Sequence, residues 1–356
     1  MPAVVILGCG GVGRALLKQI AATKLTVAAV CDSKNALVAA NGAFTAAQLS
    51  AIAEAKAAGK PLAVEGATVV PVTDSAGLAA VLKQCKEAAG GKCFVADCTA
   101  SDATGPAMAE AGVAVALANK KPVTSSIDLY NKLALENPRN FRNESTVGAG
   151  LPVMAMLRRM VTSGDPISRV AGCFSGTLGF VMSGLEAGKK LSDVVAEAKS
   201  LGYTEPDPRE DLSGMDVARK ALIIARSMGW KLEMDDVKVE GMYPPEMGQD
   251  KMSVDEFMAA LPSLDADMAG KAQAAAADGK VLRFAAVVAD GKCLVGLQSV
   301  PKNTAMGALQ GTDNIVEVIS SCYPVSPLVI QGAGAGTETT ASGVLADLLE
   351  LADIHA

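Results

Sequence analysis

The hydrophobic pattern of the first third of the chain alternates short β-branched apolar runs with longer amphipathic ones. The short runs predict strands near residues 3–7, 26–30, 68–72, 93–96 and 113–117, and the periodic runs predict helices near 14–22, 45–58, 75–89 and 105–111. Strands that alternate with helices form a parallel sheet covered by helices on both faces. Apart from its predicted helix, we interpret the Ala-rich stretch 36–66 as an excursion from this sheet.

The pattern changes after Gly148. Helices are predicted near 152–162, 179–187, 191–201 and 342–352, and strands near 169–174, 314–319 and 327–330. The two apolar runs that flank Asp290-Gly291 predict a β-hairpin, because this dipeptide favours the tight turn that joins antiparallel strands. The second half of the chain is therefore predicted to be α+β with a mostly antiparallel or mixed sheet.

A glycine-rich turn follows the first predicted strand. The run G-C-G-G-V-G places Gly8, Gly10 and Gly13 in G-x-G-x-x-G spacing between a strand and a helix. The first glycine permits the tight turn, the second lets the backbone approach a pyrophosphate, and the third packs the helix on the strand. We therefore predict a Rossmann-type doubly wound parallel sheet that binds NADP or NAD at 1–148, followed by an α+β domain with a mixed sheet at 149–330 and a C-terminal segment at 331–356.

The choice between NAD and NADP is left open by the end of the second strand. Asp32 follows this strand, where an acidic side chain binds a ribose 2′-hydroxyl. The alternative is that Asp32 only caps a turn. Ser33 and Lys34 come next and could instead accept a 2′-phosphate.

Composition and charge exclude several classes of function. The net charge of −6 and the lack of a basic cluster argue against nucleic-acid binding, and no long uncharged apolar run predicts a membrane span. The start of the chain has no secretory pattern, so we expect a cytoplasmic protein, or an organellar one if a transit segment precedes this sequence. The only histidine is His355, near the end, so proton transfer must fall to Lys, Asp, Glu, Tyr or Cys.

The densest run of charge is G-Y-T-E-P-D-P-R-E-D-L-S-G-M-D-V-A-R-K, at 202–220. Two prolines prevent a regular helix across its first part, and Ser213 is predicted to start the helix that follows. Asp216 and Lys220 are four residues apart and therefore share one helix face. The alternative is an ordinary solvated salt bridge, which is how most such pairs behave.

Several motifs together resemble homoserine dehydrogenase, in order and across almost the whole chain. They are the glycine turn, A-N-K-K-P, E-S-T-V-G-A-G-L-P, F-S-G-T-L, the 202–220 run and I-Q-G-A-G-A-G. The resemblance implies NAD(P)-dependent interconversion of L-aspartate 4-semialdehyde and L-homoserine, on the route to threonine, methionine and isoleucine. It also implies the monofunctional type, without an aspartate-kinase or regulatory domain, and a homodimer. In this family resemblance, the domain at 149–330 would bind the substrate and form the dimer, and the segment 331–356 would return to the dinucleotide-binding domain.

The resemblance also implies roles for individual residues. Lys220 would donate and accept the proton, helped by Asp216, and Lys120 would lie between cofactor and substrate. Substrate-binding positions would be Glu205, Asp216, Gly176, Thr177 and Lys120. Cofactor-binding positions would be Gly8, Gly10, Gly11, Val12, Gly13, Asp32, Thr99, Lys120 and Gly336. A monovalent cation, expected to be sodium, would bind backbone carbonyls of Glu144, Val147, Ala149 and Leu151.

The chemistry of the residues agrees with this assignment. Hydride reduction of an aldehyde leaves an alkoxide that needs a proton, and a lysine can supply it where histidine is absent. No tyrosine has a lysine four residues later, which disfavours short-chain reductases, and aspartate-semialdehyde dehydrogenase needs a histidine base. A catalytically inactive dinucleotide-binding sensor or structural relative is the remaining alternative.

Overall fold

The computed structural model describes residues 2–356 and divides them into two compact units. Unit 1 comprises the chain up to Pro152 together with Ala335–Ala356, and unit 2 comprises Val153–Gly334. Both boundaries lie slightly beyond the predicted ones at 148 and 330, because the turn after Gly148 packs on the C-terminal helix and the last strand continues to Gly332. The functional roles assigned to the domains stay predictions.

Unit 1 contains a seven-stranded sheet with the order β4-β3-β2-β1-β5-β6-β7. Its strands are β1 (Ala3–Leu7), β2 (Thr26–Cys31), β3 (Asn35–Ala39), β4 (Ala67–Pro71), β5 (Cys93–Asp97), β6 (Ala114–Leu117) and β7 (Phe141–Arg142). Five neighbouring strands of this sheet run parallel to one another, namely β2, β1, β5, β6 and β7. This confirms the predicted fold class. β1 is buried along its whole length, as a central strand covered on both faces must be.

The 36–66 stretch differs from its prediction. The predicted helix is present as α2 (Ala46–Ala57), whose N-cap Thr45 forms a capping box with Gln48. The segment Asn35–Ala39 is β3, which was not predicted, and it pairs antiparallel with both β2 and β4. The stretch is therefore an antiparallel extension of the sheet and not an excursion from it.

Helices cover both faces of this sheet. They are α1 (Gly11–Ile20), α2 (Ala46–Ala57), α3 (Ser75–Ala88), α4 (Thr104–Ala111), the short α5 (Lys121–Thr124) and α6 (Ile127–Tyr130), and the C-terminal α14 (Thr337–Ile354). Val344, Leu348 and Leu351 of α14 are fully buried in the same core as Leu16 and Leu17 of α1. The end of the chain is thus an integral part of unit 1.

Unit 2 contains a six-stranded sheet with the order β13-β12-β8-β10-β11-β9. Its strands are β8 (Ile167–Cys173), β9 (Val237–Val239), β10 (Lys280–Ala289), β11 (Lys292–Pro301), β12 (Asn314–Ser320) and β13 (Leu328–Gly332). All neighbours are antiparallel except β9 and β11, so the sheet is mixed, as predicted. The predicted hairpin joins β10 to β11, and Asp290 and Gly291 both have positive φ, at 53° and 72°.

The helices of unit 2 pack around this sheet. They are α7 (Val153–Thr162), α8 (Gly176–Glu186), α9 (Leu191–Ser200), α10 (Arg209–Leu212), α11 (Met215–Ser227), α12 (Val254–Ala260) and α13 (Asp265–Ala277). On α11 the residues Val217, Ala221 and Ile224 are buried, which leaves Asp216 and Lys220 on a different face. Within residues 2–356, no helix is both long and apolar enough to cross a lipid bilayer.

Candidate functional site

The glycine turn of unit 1 has the geometry that its three glycines require. Gly8 follows β1 with a φ of 87°, and a Cβ there would lie 2.9 Å from the carbonyl oxygen of Cys98. A Cβ at Gly13 would overlap the carbonyl oxygen of Gly8, so α1 can pack on β1 only with glycine there. These two positions serve the fold.

The middle glycine has open space around it. Gly10 is the N-cap of α1, and nothing lies within 4 Å of the place where its Cβ would be. The N–H groups of Gly11, Val12 and Gly13 form the first turn of this helix and are available to an anion. Gly11 also approaches Thr337 of α14, whose N-cap is Gly336, so two predicted cofactor residues from opposite ends of the chain are neighbours.

A cavity of about 630 Å³ lies in front of this turn. Its lining includes Gly8, Gly10, Asp32 and Thr99, so the structure brings four of the predicted cofactor residues to one cavity. A second cavity of about 730 Å³ lies near α4 and α6, and none of the predicted residues lines it. We therefore take the first cavity as the candidate dinucleotide site.

Asp32 has two structural roles at the edge of this cavity. Its Oδ1 accepts hydrogen bonds from the backbone N–H of Lys34 and of Asn35, both at 2.9 Å, and thereby caps the turn between β2 and β3. Its Oδ2 lies 3.0 Å from Nζ of Lys56, on α2. Burial raises the pKa of this carboxyl, but the hydrogen bonds from Lys34, Lys56 and Asn35 outweigh it and hold the pKa below its usual value. The cap is therefore present, and a role toward the ribose stays a prediction.

Lys56 is a cavity residue that the sequence did not reveal. It lines the same cavity as Gly10 and Asp32. Its partner lies 24 residues earlier in the chain, and the two meet only because α2 folds back over β2. No local motif marks this lysine.

Two crossover connections meet at the carboxyl ends of β5 and β6. Thr99 follows β5, and its hydroxyl donates a 2.7 Å hydrogen bond to the buried carboxylate of Asp97. Asn119 follows β6 and donates to the same carboxylate at 3.1 Å. Lys120 comes directly after Asn119 and is partly buried, and its carbonyl accepts the hydroxyl proton of Thr124 at 2.9 Å. Thr99 and Lys120 are thus attached to one polar cluster.

The predicted cation turn is buried against α14. Asp347 accepts the backbone N–H of Glu144 at 2.8 Å, and Ser145 donates to the carbonyl of Thr340 at 2.9 Å. Ala149 is buried and has a φ of 56°, a left-handed conformation that costs a non-glycine residue on the order of 1–3 kcal/mol. Such strain is characteristic of functional sites. The carbonyl of Glu144 accepts the backbone N–H of Val147 at 3.3 Å, and cation binding at this turn stays a prediction.

The charged run of unit 2 differs from its prediction in one detail. Ser213 does not start the helix, because the short helix α10 occupies residues up to Leu212. Gly214 is the N-cap of α11 instead, with a φ of 74°, and a Cβ there would collide with the ring of Phe284. The glycine therefore makes the sharp corner between the acidic loop and the helix.

Lys220 is fixed by two acceptors. Its Nζ lies 2.8 Å from Oδ2 of Asp216 and donates a 2.6 Å hydrogen bond to the carbonyl oxygen of Phe174. The lysine side chain is only 12% exposed, whereas that of Asp216 is 46% exposed. An ammonium held by a carbonyl and a carboxylate in a partly buried place differs from a solvated surface pair, which weakens the alternative of an ordinary salt bridge.

The acidic loop is held at its ends. Thr177, in the first turn of α8, donates its hydroxyl proton to the carbonyl of Tyr203 at 2.6 Å. The backbone N–H of Glu205 donates to Asp211 at 2.8 Å, and the side chain of Glu205 is exposed. Gly176 begins α8, where a Cβ would come within 3.1 Å of the carbonyl of Thr312. Thr177 and Glu205 are thus joined through one loop.

Asp211 adds a carboxylate that was not among the predicted site residues. Burial raises the pKa of this carboxyl, and the neighbouring charge of Asp216 raises it further, against the hydrogen bond from the backbone N–H of Glu205. The charges of Asp211 and Asp216 therefore lie close enough to repel each other. Its place in the acidic loop was the only signal in the sequence.

These two sets of residues define a class of protein. A glycine turn for a dinucleotide in unit 1 and a lysine with acidic neighbours in unit 2 are the parts of an NAD(P)-dependent oxidoreductase. The homoserine dehydrogenase family model matches residues 152–349, which is more than half of the chain. The chain belongs to the homoserine dehydrogenase family, and this confirms the family that the sequence motifs predicted.

Individual relatives agree with the family. Homoserine dehydrogenase of Emericella nidulans is 37% identical over 367 residues, covering 97% of this chain and 97% of that protein. The chloroplastic bifunctional aspartokinase/homoserine dehydrogenase 1 of Zea mays is 43% identical over 245 residues, covering 67% of this chain and 26% of that protein. The chain thus spans about a quarter of the bifunctional relative and nearly all of the fungal one.

A solved structure shows the same fold. A hyperthermophilic archaeal homoserine dehydrogenase in complex with NADPH has a TM-score of 0.74 with this chain at 23% identity, covering 99% of this chain and 97% of that one. The shared fold includes the parallel-dominated sheet of unit 1 and the mixed sheet of unit 2.

Proposed function

We propose that this chain catalyses the NAD(P)-dependent interconversion of L-aspartate 4-semialdehyde and L-homoserine in threonine, methionine and isoleucine biosynthesis. The observation that carries the proposal is the partly buried ammonium of Lys220, held by Asp216 and by the carbonyl of Phe174. Together with membership of the family, it supplies a proton donor in a protein whose only histidine is His355. An inactive sensor would not need to keep this arrangement.

The proposed chemistry gives each residue a separate task. A bound nicotinamide supplies or accepts the hydride. Lys220 protonates the oxygen of the aldehyde during reduction and removes the hydroxyl proton during oxidation. Glu205, together with Asp211, binds the α-amine of the substrate, and Asp216 orients the ammonium of Lys220. Lys120 contacts the dinucleotide and the substrate, and Gly176 and Thr177 complete the substrate site.

The direct test measures homoserine-dependent reduction of NADP and of NAD by the purified protein. We expect turnover with homoserine and none with simple 2-hydroxy acids, because these lack the α-amine that the acidic loop would bind. Dinucleotide binding without any turnover of homoserine or of the semialdehyde would contradict the proposal and favour the sensor alternative.

For the coenzyme, we propose that Asp32 and Lys56 together set the ratio of NADPH to NADH use. The archaeal structure of the same fold contains NADPH. In this chain the ammonium of Lys56, 3.0 Å from Asp32, offsets the carboxylate and offers a cation to a 2′-phosphate. Lys56→Ala should lower kcat/KM for NADPH relative to NADH, and Asp32→Ala should do the reverse. An unchanged ratio in both variants would contradict this assignment.

For the cation, we propose that carbonyls of Glu144, Val147, Ala149 and Leu151 bind sodium. The buried turn and the left-handed Ala149 support this proposal. Activity or thermal stability should change when sodium is replaced by a bulky monovalent cation at constant ionic strength, and a divalent chelator should have no effect. Identical behaviour in all monovalent salts would argue against the site.

For the oligomer, we propose a homodimer formed through unit 2. β13 is an edge strand of the mixed sheet, and an edge strand offers unpaired backbone groups to a second copy. Apolar side chains near this edge are exposed, among them Val325 at 88% and Val329 at 41%. Sedimentation should show a dimer, and Val329→Lys should shift it toward the monomer. A monomeric wild-type protein would refute the proposal.

A further inference from the structure

The carboxylate of Asp97 is completely buried at the carboxyl end of β5. It accepts four hydrogen bonds, from the backbone N–H of Thr99 at 3.0 Å, the hydroxyl of Thr99 at 2.7 Å, the hydroxyl of Thr104 at 2.6 Å and the amide of Asn119 at 3.1 Å. Each of these donors is neutral. Asp97 therefore differs from Asp32, whose charge is offset by Lys56.

Burial of such a carboxylate lowers the stability of the fold. A buried charge without a cation is poorly solvated, and the hydrogen bonds recover only part of the loss. Burial accordingly raises the pKa of Asp97, against the hydrogen bonds from Thr104, Thr99 and Asn119. A neutral side chain of the same shape would be cheaper to bury, so stability alone does not explain this residue.

The donors to Asp97 come from two different connections. Thr99 and Thr104 lie on the connection from β5 to α4, and Asn119 lies on the connection from β6 to α5. The backbone carbonyl of Asp97 also accepts the N–H groups of Ala118, at 2.9 Å, and of Asn119. One residue thus ties together the two loops that follow adjacent parallel strands, where ligands of such sheets bind.

The amide oxygen of Asn119 also holds the residues that follow it in place. Its Nδ2 donates to Asp97 and to the carbonyl of Ser101, so its Oδ1 must face the other way, and it accepts the backbone N–H of Lys121 at 3.1 Å. Lys120 lies between these two anchored residues. An acceptor-only carboxylate at 97 therefore determines which way the amide of Asn119 points and how the backbone at Lys120 runs.

We propose that Asp97 is a positioning residue for the dinucleotide, acting through Thr99 and through Asn119 on Lys120. The inference rests on the proposed roles of Thr99 and Lys120 in cofactor binding. The negative charge is kept because only a group that accepts from every side can orient both loops at once, although it makes the fold less stable.

The first test is Asp97→Asn, which keeps the shape of the side chain. Its new NH₂ group would face the N–H or amide donors of Thr99 or Asn119, so one of the two loops must turn away. We expect the Kd of NADPH, measured by direct titration, and the KM for the dinucleotide to rise about tenfold, the equivalent of roughly 1.4 kcal/mol. The KM for homoserine should rise less than the KM for the dinucleotide, because Lys120 alone among the affected residues is proposed to contact the substrate, and the melting temperature should not fall. Glu87→Gln is the control, because this carboxylate is exposed on α3.

The second test exchanges the donor and the acceptor of the hydrogen bond between residues 97 and 119, and it gives up the bond from residue 119 to the carbonyl of Ser101. In the double variant Asp97→Asn with Asn119→Asp, the amide at 97 can donate to a carboxylate at 119, which still accepts from Lys121. We expect it to recover part of the lost affinity for NADPH. If the two substitutions damaged the structure independently, the double variant would not regain affinity for NADPH.

Two outcomes would overturn the inference. One is an Asp97→Asn protein that binds NADPH as tightly as the wild type while the wild type turns over homoserine normally. The other is a variant that unfolds or melts well below the wild type, because the carboxylate would then be needed for stability. A wild-type protein that binds NADPH but does not act on homoserine would instead contradict the proposed function, and the Kd comparison would still test Asp97.

Discussion

The side chain of Lys220 gives the sharpest prediction for a single residue. Lys220→Ala should lower turnover by roughly 10²–10⁴-fold, the usual share of a positioned acid–base group. NADPH affinity should stay the same, because this lysine lies in unit 2 and its contacts are to Asp216 and Phe174. Steady-state kinetics and NADPH titration check both parts, and Lys199→Ala on α9 is a surface control. If Lys120→Ala loses turnover and Lys220→Ala keeps it, the proton-transfer role belongs to Lys120.

The buried carboxyl of Asp97 predicts a pH dependence of stability. Because its pKa is raised in the folded state, its contribution to stability is complete below the ordinary pKa of an aspartate and is lost as pH rises through the raised value. Asp97→Asn removes this loss. Denaturant titrations should therefore show a stability difference between variant and wild type that grows in favour of the variant from acid to neutral pH. A difference that is constant over this range would contradict a raised pKa.

Single residues were predictable where local geometry alone decides the residue type. Gly8 and Gly13 are required by a positive φ and by a close contact, and both follow from the strand–turn–helix context. Lys56 and Asp97 were not predictable. Lys56 acts on Asp32 through tertiary contact, and the environment of Asp97 depends on Asn119, a residue 22 positions away.

The glycine turn predicts a contrast between two neighbouring substitutions. Gly10→Val should abolish dinucleotide binding with little change in stability, because no protein atom lies within 4 Å of the place where its Cβ would be. Gly13→Val should destabilise the fold itself, since its Cβ would overlap the carbonyl of Gly8. Thermal melts and NADPH titrations of the pair separate the two effects. Equal melting-temperature losses in both variants would show that the turn has no specific ligand role.

The acidic loop is anchored as an element by Arg209, which is 2% exposed. Its guanidinium binds both oxygens of Asp207, donates to the carbonyls of Gly248 and Met252 at 3.0 and 2.7 Å, and lies 5.2 Å from the ring centroid of Phe257. The loop that carries Glu205 is therefore fastened to the segment that precedes α12.

This anchor predicts the behaviour of Arg209→Lys. The lysine keeps the charge but loses the planar fork, so we expect the protein to lose roughly 1.5–3 kcal/mol of stability. The KM for homoserine should rise while the Kd of NADPH stays unchanged, because the loop belongs to unit 2. Arg169→Lys on β8 is the matched control. A higher Kd for NADPH with an unchanged KM for homoserine would show that the loop does not bind the substrate.

At the level of elements, most long periodic segments were predictable, whereas the short elements and the 13-residue, Ala-rich helix α13 were not. Strand–helix alternation revealed the parallel part of the first sheet, and Asp290-Gly291 revealed the hairpin. β3 was missed because a five-residue strand with two alanines has little β-propensity of its own and is stabilised by its antiparallel neighbours. The prediction that Ser213 starts α11 was wrong. A serine shortly before an acidic residue is typical of an N-cap, but the N-cap of α11 is Gly214.

At the scale of the whole molecule, α14 predicts that unit 1 cannot fold without Ala335–Ala356. Removing the segment would expose the core surface covered by Val344, Leu348 and Leu351, at roughly 1.5–3 kcal/mol for each side chain. This loss is comparable with the total stability of a typical domain, about 5–15 kcal/mol. A chain ending at Gly334 should lose NADPH binding and show a protease-sensitive unit 1.

Two point variants control for the truncation. Leu348 is fully buried and its neighbour Leu349 is 41% exposed. Leu348→Ala should destabilise by about 2–5 kcal/mol, and Leu349→Ala should have little effect. Equal effects would mean that α14 is not packed as described.

Unit 1 consists of two stretches that are distant in the sequence, and this affects the order in which the two units can fold during translation. The first 152 residues leave the ribosome without the helix that completes their core, whereas unit 2 is continuous and can fold as soon as it has emerged. At about 5–20 residues per second, synthesis of the intervening unit takes roughly 10–40 s. For that interval the nascent first part of unit 1 exposes the apolar groove that α14 will fill, and chaperones would have to shield this groove until α14 emerges.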